Sequence, residues 1–386
     1  MSAARRRRAL MQVLHLWLGL GLGAVFVVLG LTGSWLAFYP EIDRLRQPPT
    51  SVATSPPTLA AVVAALRAAE PARDGPWRIE LAPTPDAPIK ARYYRPPETR
   101  ERGFAPLLVT IDPGTLAVGD RHFWGEGLST WLYDLHYTLL LGAGGKTLLA
   151  TLTLALIALL ASGLYLWWPA PGRWRQALAI KRQASRPRRI YDLHVKPGVY
   201  ALPLLLVLAG SGLMLLVPHW FAPAIAWLSP PTPAFQAPAA ATTAPAISAD
   251  AALAIARREF PAAEPRWLET PGRGHAAWRV QLRQPGEPNR RFPRTHVWID
   301  PATGAILAIR DPLRQGAGDT LLAWLHPLHN GEAFGLAGRL VVCLSGLLPL
   351  LALVTGFLRW RHKREARATS ARRRIDGGGP LAAKLR

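Results

Sequence analysis

Four stretches of the chain are apolar for long enough to cross a bilayer: roughly Val13–Phe38, Thr147–Trp168, Pro197–Pro218 and Leu336–Leu358. A hydrocarbon core needs about 20 apolar residues in a helix, so each predicts a transmembrane span. Between the first two spans, and again between the last two, the pattern changes to short alternation. Trp77-Arg-Ile-Glu-Leu81 and Leu107-Leu-Val-Thr-Ile111 predict strands in the first segment, and Ala277-Trp-Arg-Val-Gln-Leu282 and Thr295-His-Val-Trp-Ile299 in the second. A helical run precedes each set, Leu59–Leu66 and Ala251–Ala256, the latter led by Ser248 and Asp250 as N-caps. Each run follows a Pro-rich linker, Gln47–Pro57 or Ser229–Pro245. Turns of one kind, Asp112-Pro-Gly-Thr and Asp300-Pro-Ala-Thr-Gly, lead into a further short strand.

The unit of span, small α+β domain and span thus occurs twice. The expected fold is an α-helical membrane protein with four transmembrane helices from an internal duplication and two small α+β domains. Its segments are a basic N-terminus with the first span (1–38), the first small domain with an interfacial segment (39–146), the second span (147–168) and a basic loop (169–196). The third span (197–218), the second small domain with its interfacial segment (219–335), the fourth span (336–358) and a basic tail (359–386) follow.

Charge orients this arrangement. The formal net charge is +22, which would suit nucleic acid, but the basic residues crowd beside the spans. Arg5–Arg8 precede the first, seven Lys or Arg from Arg173 to Arg189 fill the second loop, and ten from Arg359 to Arg386 follow the fourth. The positive-inside rule puts both termini and that loop in the cytoplasm and the two small domains on the opposite side. The other charges nearly balance, so no nucleic-acid-binding face is expected. The first span is too long for a signal h-region and runs into Phe38-Tyr39-Pro40-Glu41 without a small-residue cleavage pattern, which predicts an uncleaved helix. Cys343 is the only cysteine, which excludes internal disulfides, Cys-ligated clusters and covalent c-type haem attachment.

Metal chemistry must therefore use histidine. His15 precedes Thr32-Gly33 by 17 and 18 residues, and His194 precedes Ser211-Gly212 by the same intervals. His136 stands 27 residues before Gly163 and 31 before Trp167; His329 stands 27 before Gly356 and 31 before Trp360. Four histidines form two equivalent pairs, His15 with His194 at the cytoplasmic end and His136 with His329 at the other. Each pair could ligate one haem iron axially, leaving no open position and so favouring electron transfer over oxygen chemistry. His326, three residues before His329, shares its helical face and is the alternative ligand. The dipeptides Thr32-Gly33, Ser162-Gly163, Ser211-Gly212 and Thr355-Gly356 fall on the helix pair opposite each His pair, where small residues leave room for a flat macrocycle; ordinary close helix packing favours the same residues. His219 and His362, at span boundaries, are further alternates, and His122, His275 and His296 are expected to be solvent-exposed.

Val297-Trp-Ile-Asp-Pro-Ala-Thr-Gly-Ala-Ile306 resembles a PepSY domain. Leu325-His-Pro-Leu-His-Asn-Gly-Glu-Ala-Phe-Gly335, followed by a span closing on Thr355-Gly356, resembles the PepSY-associated transmembrane family, with similarity extending from the basic N-terminus to Trp360. The first segment departs from the pattern by lacking a Gly after Asp112-Pro-Gly-Thr. The best understood members of that family resemble FoxB-type ferrisiderophore reductases, and the resemblance implies a bacterial inner-membrane enzyme. It implies haem b, two copies given the two His pairs, and reduction of siderophore-bound or otherwise chelated Fe(III) at the periplasmic face for iron acquisition. No Gly-rich nucleotide fingerprint is present, so the electron donor is expected to be a separate molecule. The competing class is a haem-free PepSY-domain scaffold or modulator of an envelope partner. A carrier is less favoured, because no span has a charged residue near its midpoint.

Overall fold

The computed structural model describes residues 2–376 apart from 48–49, 52–54, 82–83, 85–86, 180–182 and 238–245. Parts of both Pro-rich linkers, Lys181 and Arg182 of the basic loop and the end of the basic tail lie outside the described residues. Two compact units form, one from Met1–Ser34, Ala150–Gly210 and Val342–Arg386, the other from Trp35–Leu149 and Ser211–Val341. In chain order the first half runs α1 (Ala3–Leu36), α2 (Tyr39–Arg46), α3 (Leu59–Ala69), β1 (Trp77–Glu80), β2 (Ile89–Tyr93), β3 (Leu107–Ile111), β4 (Val118–Phe123), α4 (Leu128–Thr138) and α5 (Gly142–Trp167). The short α6 (Trp174–Leu178) leads into the second half, α7 (Arg186–Leu216), α8 (Pro218–Leu228), α9 (Ala249–Glu259), β5 (Glu264–Glu269), β6 (Trp278–Arg283), β7 (Thr295–Ile299), β8 (Ile306–Arg310), α10 (Ala317–Asn330), α11 (Gly335–Ser345) and α12 (Leu348–Asp376).

Four helices among the described residues are long and apolar enough to cross a membrane: α1, α5, α7 and the stretch Glu332–Ala371. They outrun the bounds expected from hydropathy, because a helix continues past the hydrocarbon limit wherever its backbone stays paired. α7 starts at Arg186 and carries Pro197 and Pro203 within it. The fourth span is interrupted between Ser345 and Leu348, where the Gly346 amide is shared between the carbonyls of Val342 (3.2 Å) and Cys343 (3.3 Å). The break coincides with a backbone contact in the first unit: a Cβ on Gly346 would strike the Gly30 carbonyl, and the Ser34 hydroxyl donates to Cys343 O at 2.7 Å. Small residues permit this approach of α1 to the α11–α12 joint.

The two separate small domains expected from the sequence are instead one eight-stranded antiparallel sheet in the second unit, in the order β4-β3-β2-β1-β5-β6-β7-β8. The halves meet at β1 and β5, with Arg78 opposite Glu269, Ile79 opposite Leu268 and Glu80 opposite Trp267. Two four-stranded sheets would each leave an unpaired buried edge here, and mutual pairing satisfies both. Trp77 and Thr270 close the seam: Thr270 N–H donates to Trp77 O, and Trp77 N–H to the Thr270 hydroxyl Oγ1, both at 2.9 Å. α3 and α9 cover one face. Val62, Leu66, Ala252 and Ala256 are fully enclosed with Ile79, Leu268, Val280 and Ile299 in one core drawn from both halves.

Capping couples the halves as well. Ser248 caps its own helix, accepting from Ala251 N–H at 3.1 Å, and Thr58 does the same for α3. Asp250, read from sequence as a second cap for α9, faces the other helix: its carboxylate accepts from the Leu59 and Ala60 amides at 2.9 Å each, at the positive end of the α3 dipole. In the turns, Asp112 Oδ1 accepts from Gly114 and Thr115 amides, and Asp300 Oδ1 from Ala302 and Thr303. These amides, with that of Ser51, hold the Asp112 carboxyl down to about 2. Where the second turn has Gly304 at φ 77°, the first places Leu116 in the same left-handed region at φ 58°, which accounts for the missing glycine.

Candidate functional site

The first unit brings His15 of α1 and His194 of α7 together, their ring centres 6.2 Å apart and their planes at 89°. Each imidazole is held by the span that closes its own half. His15 Nδ1 lies 3.0 Å from Ser162 Oγ on α5, and His194 Nδ1 lies 3.0 Å from Thr355 Oγ1 on α12 and 3.1 Å from the Ala352 carbonyl. The Ser162 hydroxyl donates to Leu159 O (2.8 Å) and that of Thr355 to Leu351 O (2.6 Å). With their protons committed, both oxygens can only accept from the rings, and a carbonyl can only accept. Nδ1 therefore carries the hydrogen in each imidazole, and Nε2 is the lone-pair nitrogen available to a metal.

Glycine sets the closeness of these contacts. A Cβ on Gly163 would stand 3.1 Å from His15 Cε1, and one on Gly356 3.3 Å from His194 Cε1. The Ser/Thr-Gly dipeptide was expected to leave room for a flat ring. It instead cradles the imidazole itself, with the hydroxyl fixing Nδ1 and the glycine admitting the ring edge. Thr32, in the same unit, is buried with its hydroxyl bonded to Val28 O (2.8 Å) and Leu29 O (3.1 Å), and Gly33 follows it on α1.

The second unit holds the other pair. His136 of α4 and His329 of α10 have ring centres 6.1 Å apart at an interplanar angle of 57°. Ser211 Oγ lies 3.2 Å from His329 Nδ1, and a Cβ on Gly212 would come within 2.8 Å of His329 Cε1. Both histidines sit on short helices ahead of the spans, each ended by left-handed residues: Leu139 and Leu140 after α4, Gly331 after α10. The backbone packs tightly at both exits, Gly145 against the Thr138 carbonyl and Gly331 against Gly338, so neither glycine has space for a side chain.

His326, the alternative ligand, is directed elsewhere. Its ring packs edge-on against Phe292 (5.6 Å) and lies 3.4 Å from the Asn330 amide, and burial, with Arg291 nearby, pushes its pKa down to about 3. One residue that sequence reasoning missed, Arg291, stands near it. Arg291 reaches Glu332 (3.4 Å) and lies over the Tyr39 ring (4.7 Å), while the Trp267 indole donates to Arg291 O at 3.1 Å. Glu332 was visible as the acid of His-Pro-Leu-His-Asn-Gly-Glu; nothing in the chain singled out Arg291. His219 stacks edge-on with its neighbour Trp220. The solvent-exposed reading holds for neither His275 nor His296: both are half-buried, His275 beside Glu269, and burial pushes the pKa of His296 well below the ordinary value.

Each His pair is spaced as two imidazoles sharing one metal ion would be. Metal–imidazole bonds of about 2.0–2.1 Å, plus ~1.1 Å from each nitrogen to its ring centre, put an axial pair's centres about 6.3 Å apart. The observed 6.2 and 6.1 Å match that span. Among the described residues no group of three or more His, Cys, Asp or Glu side chains converges as a metal cage. A macrocycle that brings its own four equatorial nitrogens needs only two protein ligands.

The profile of the PepSY-associated TM region matches residues 12–363, from the start of the first span to beyond Thr355-Gly356. No curated protein matches the chain. With nearly the whole length covered, including both His pairs and their hydroxyl-glycine cradles, this multi-pass membrane protein belongs to the PepSY-associated TM family.

Proposed function

We propose that the protein is a di-haem b electron-transfer protein of the bacterial inner membrane that reduces siderophore-bound Fe(III) at the periplasmic face. The observation that carries this reading is the His15–His194 pair, 6.2 Å between centres, with Nδ1 of each ring committed to a hydroxyl. Haem bound between such rings would supply a one-electron couple with no open coordination position. The chain's own residues do the rest. Ser162 and Thr355 orient the imidazoles and favour the metal-binding tautomer, as outer hydrogen bonds to ligating histidines do. His136 and His329, with Ser211 behind the latter, form the equivalent site for delivery.

The basic segments beside the spans support cytoplasmic termini, electron entry from a separate donor at that side, and the sheet-bearing unit outside. Reduction weakens the hold of hard oxygen ligands on iron, since Fe(II) is the softer and less charged ion, so the siderophore releases it. Protein from haem-replete cells should contain about two haems per chain with low-spin spectra. Mixing the dithionite-reduced protein anaerobically with ferric siderophores should give Fe(II) trapped by ferrozine. A haem-free preparation would support the scaffold reading instead, and no Fe(II) from any ferric chelate would remove this substrate class.

A further inference from the structure

The seam that joins the two halves of the sheet borders an open cavity of about 630 Å³. That volume lies within the range of small-molecule sites. Its walls come from both halves. Beside it a Cβ on Gly272 would strike the Gly75 backbone, one on Gly75 would meet the Tyr93 hydroxyl, and Arg273 N–H bonds Asp74 O at 2.8 Å.

The cavity has more cations than it can neutralise. Of its four arginines, Arg279 pairs with Glu269 and Arg273 with Asp74 (3.4 Å). Arg78 and Arg95 form no ion pair among the described residues. Arg78 is the telling case. Its guanidinium is half-buried, bonded to the Tyr94 hydroxyl (2.7 Å) and the Gln281 amide oxygen, and laid over the Trp267 ring at 4.5 Å. Neutral acceptors and an aromatic face orient the group, the one carboxylate that attracts it, Glu269, is already paired with Arg279, and burial pulls its pKa below the ordinary value. Four arginines against the two carboxylates of Asp74 and Glu269 leave a surplus of positive charge, and a fixed guanidinium fork matches the oxygens of carboxylate or phosphate.

We propose that this cavity binds a small, multiply charged oxyanion, carboxylate or phosphate, through Arg78 and Arg95. The site goes beyond electron transfer and does not depend on it. Isothermal titration of the full-length, detergent-solubilised protein with citrate and, separately, with pyrophosphate tests it. One saturable site is expected at low ionic strength, weakening as salt is added; the tighter of the two anions identifies the chemical source. Arg78→Gln should weaken binding about tenfold or more, the loss of one charge-assisted contact, and the exposed Arg95→Gln severalfold. Arg258→Gln, on α9 away from the cavity, should change nothing. Because Arg95 is exposed, its variant keeps the test open if Arg78→Gln fails to fold. No heat from either anion at millimolar concentration, or affinity unchanged in the arginine variants, would overturn the proposal.

Discussion

The Thr355 hydroxyl stands between two partners: it donates to Leu351 O at 2.6 Å and receives Nδ1 of His194 at 3.0 Å. One rotor thereby sets the tautomer of an imidazole on another helix. Thr355→Val keeps the shape and removes the acceptor, so haem retention at the His15–His194 site should fall about 10- to 100-fold, the usual effect of deleting a ligand's outer hydrogen bond. Competition with apomyoglobin measures it. Unchanged retention would mean that the Ala352 carbonyl alone holds the ring.

Gly212 has no room for a side chain because His329 Cε1 occupies the space. Gly212→Val should displace His329 and leave about one haem per chain from the two-pair count. Gly210→Val, where a Cβ meets nothing within 4 Å, should retain both. Pyridine haemochrome analysis of the two variants separates a local effect from general damage to α7.

Individual ligands divide the same way. His15→Ala or His194→Ala should empty one site, and His136→Ala or His329→Ala the other, while His326→Ala keeps both haems because its ring packs on Phe292. Loss of a haem in His326→Ala alone would reassign the ligand.

Asp250 caps a helix in the opposite half, accepting from Leu59 and Ala60 amides. Asp250→Ala should destabilise the sheet-bearing unit by about 0.5–2 kcal/mol, the range for a lost helix cap. Chemical denaturation followed by tryptophan fluorescence reads this.

His296 supplies a pH signature. Burial, then Arg279 and Arg310, holds its folded pKa well below the ordinary 6.5, so the folded state keeps it neutral while the unfolded chain takes up a proton below that value. Its contribution is complete above pH 6.5 and is lost as pH falls, by up to about 1.4 kcal/mol per pH unit. Denaturation midpoints at pH 6.5 and 5.5 should differ less in His296→Gln than in the wild type. An identical slope would mean that another group governs the acid limb.

The spans and the His pairs were legible because helix periodicity carries a fixed sequence interval into a fixed position: Ser162-Gly163 and Thr355-Gly356 lie against His15 and His194 as their spacing requires. Other features left no such trace. β5 opens on Glu264-Pro265, which reads as loop, and β2 is a five-residue strand flanked by turn residues. Pairing between β1 and β5 is made by main-chain groups that every sequence shares. His296 alternates within its strand as a surface residue would, yet β7 is packed on both faces, with Trp298 against Phe235.

The seam has a consequence for how the molecule is put together. β1 and β5 are equivalent strands of the two halves, and they meet antiparallel, the relation that a two-fold axis imposes on identical subunits. Each half also supplies one imidazole to a shared pair together with the hydroxyl that steers it, so a half alone would present one exposed strand edge and half a ligand set. One polypeptide therefore supplies both edges of the seam and both imidazoles of the pair. Supplying both from one chain removes the concentration dependence that assembly from separate subunits would carry.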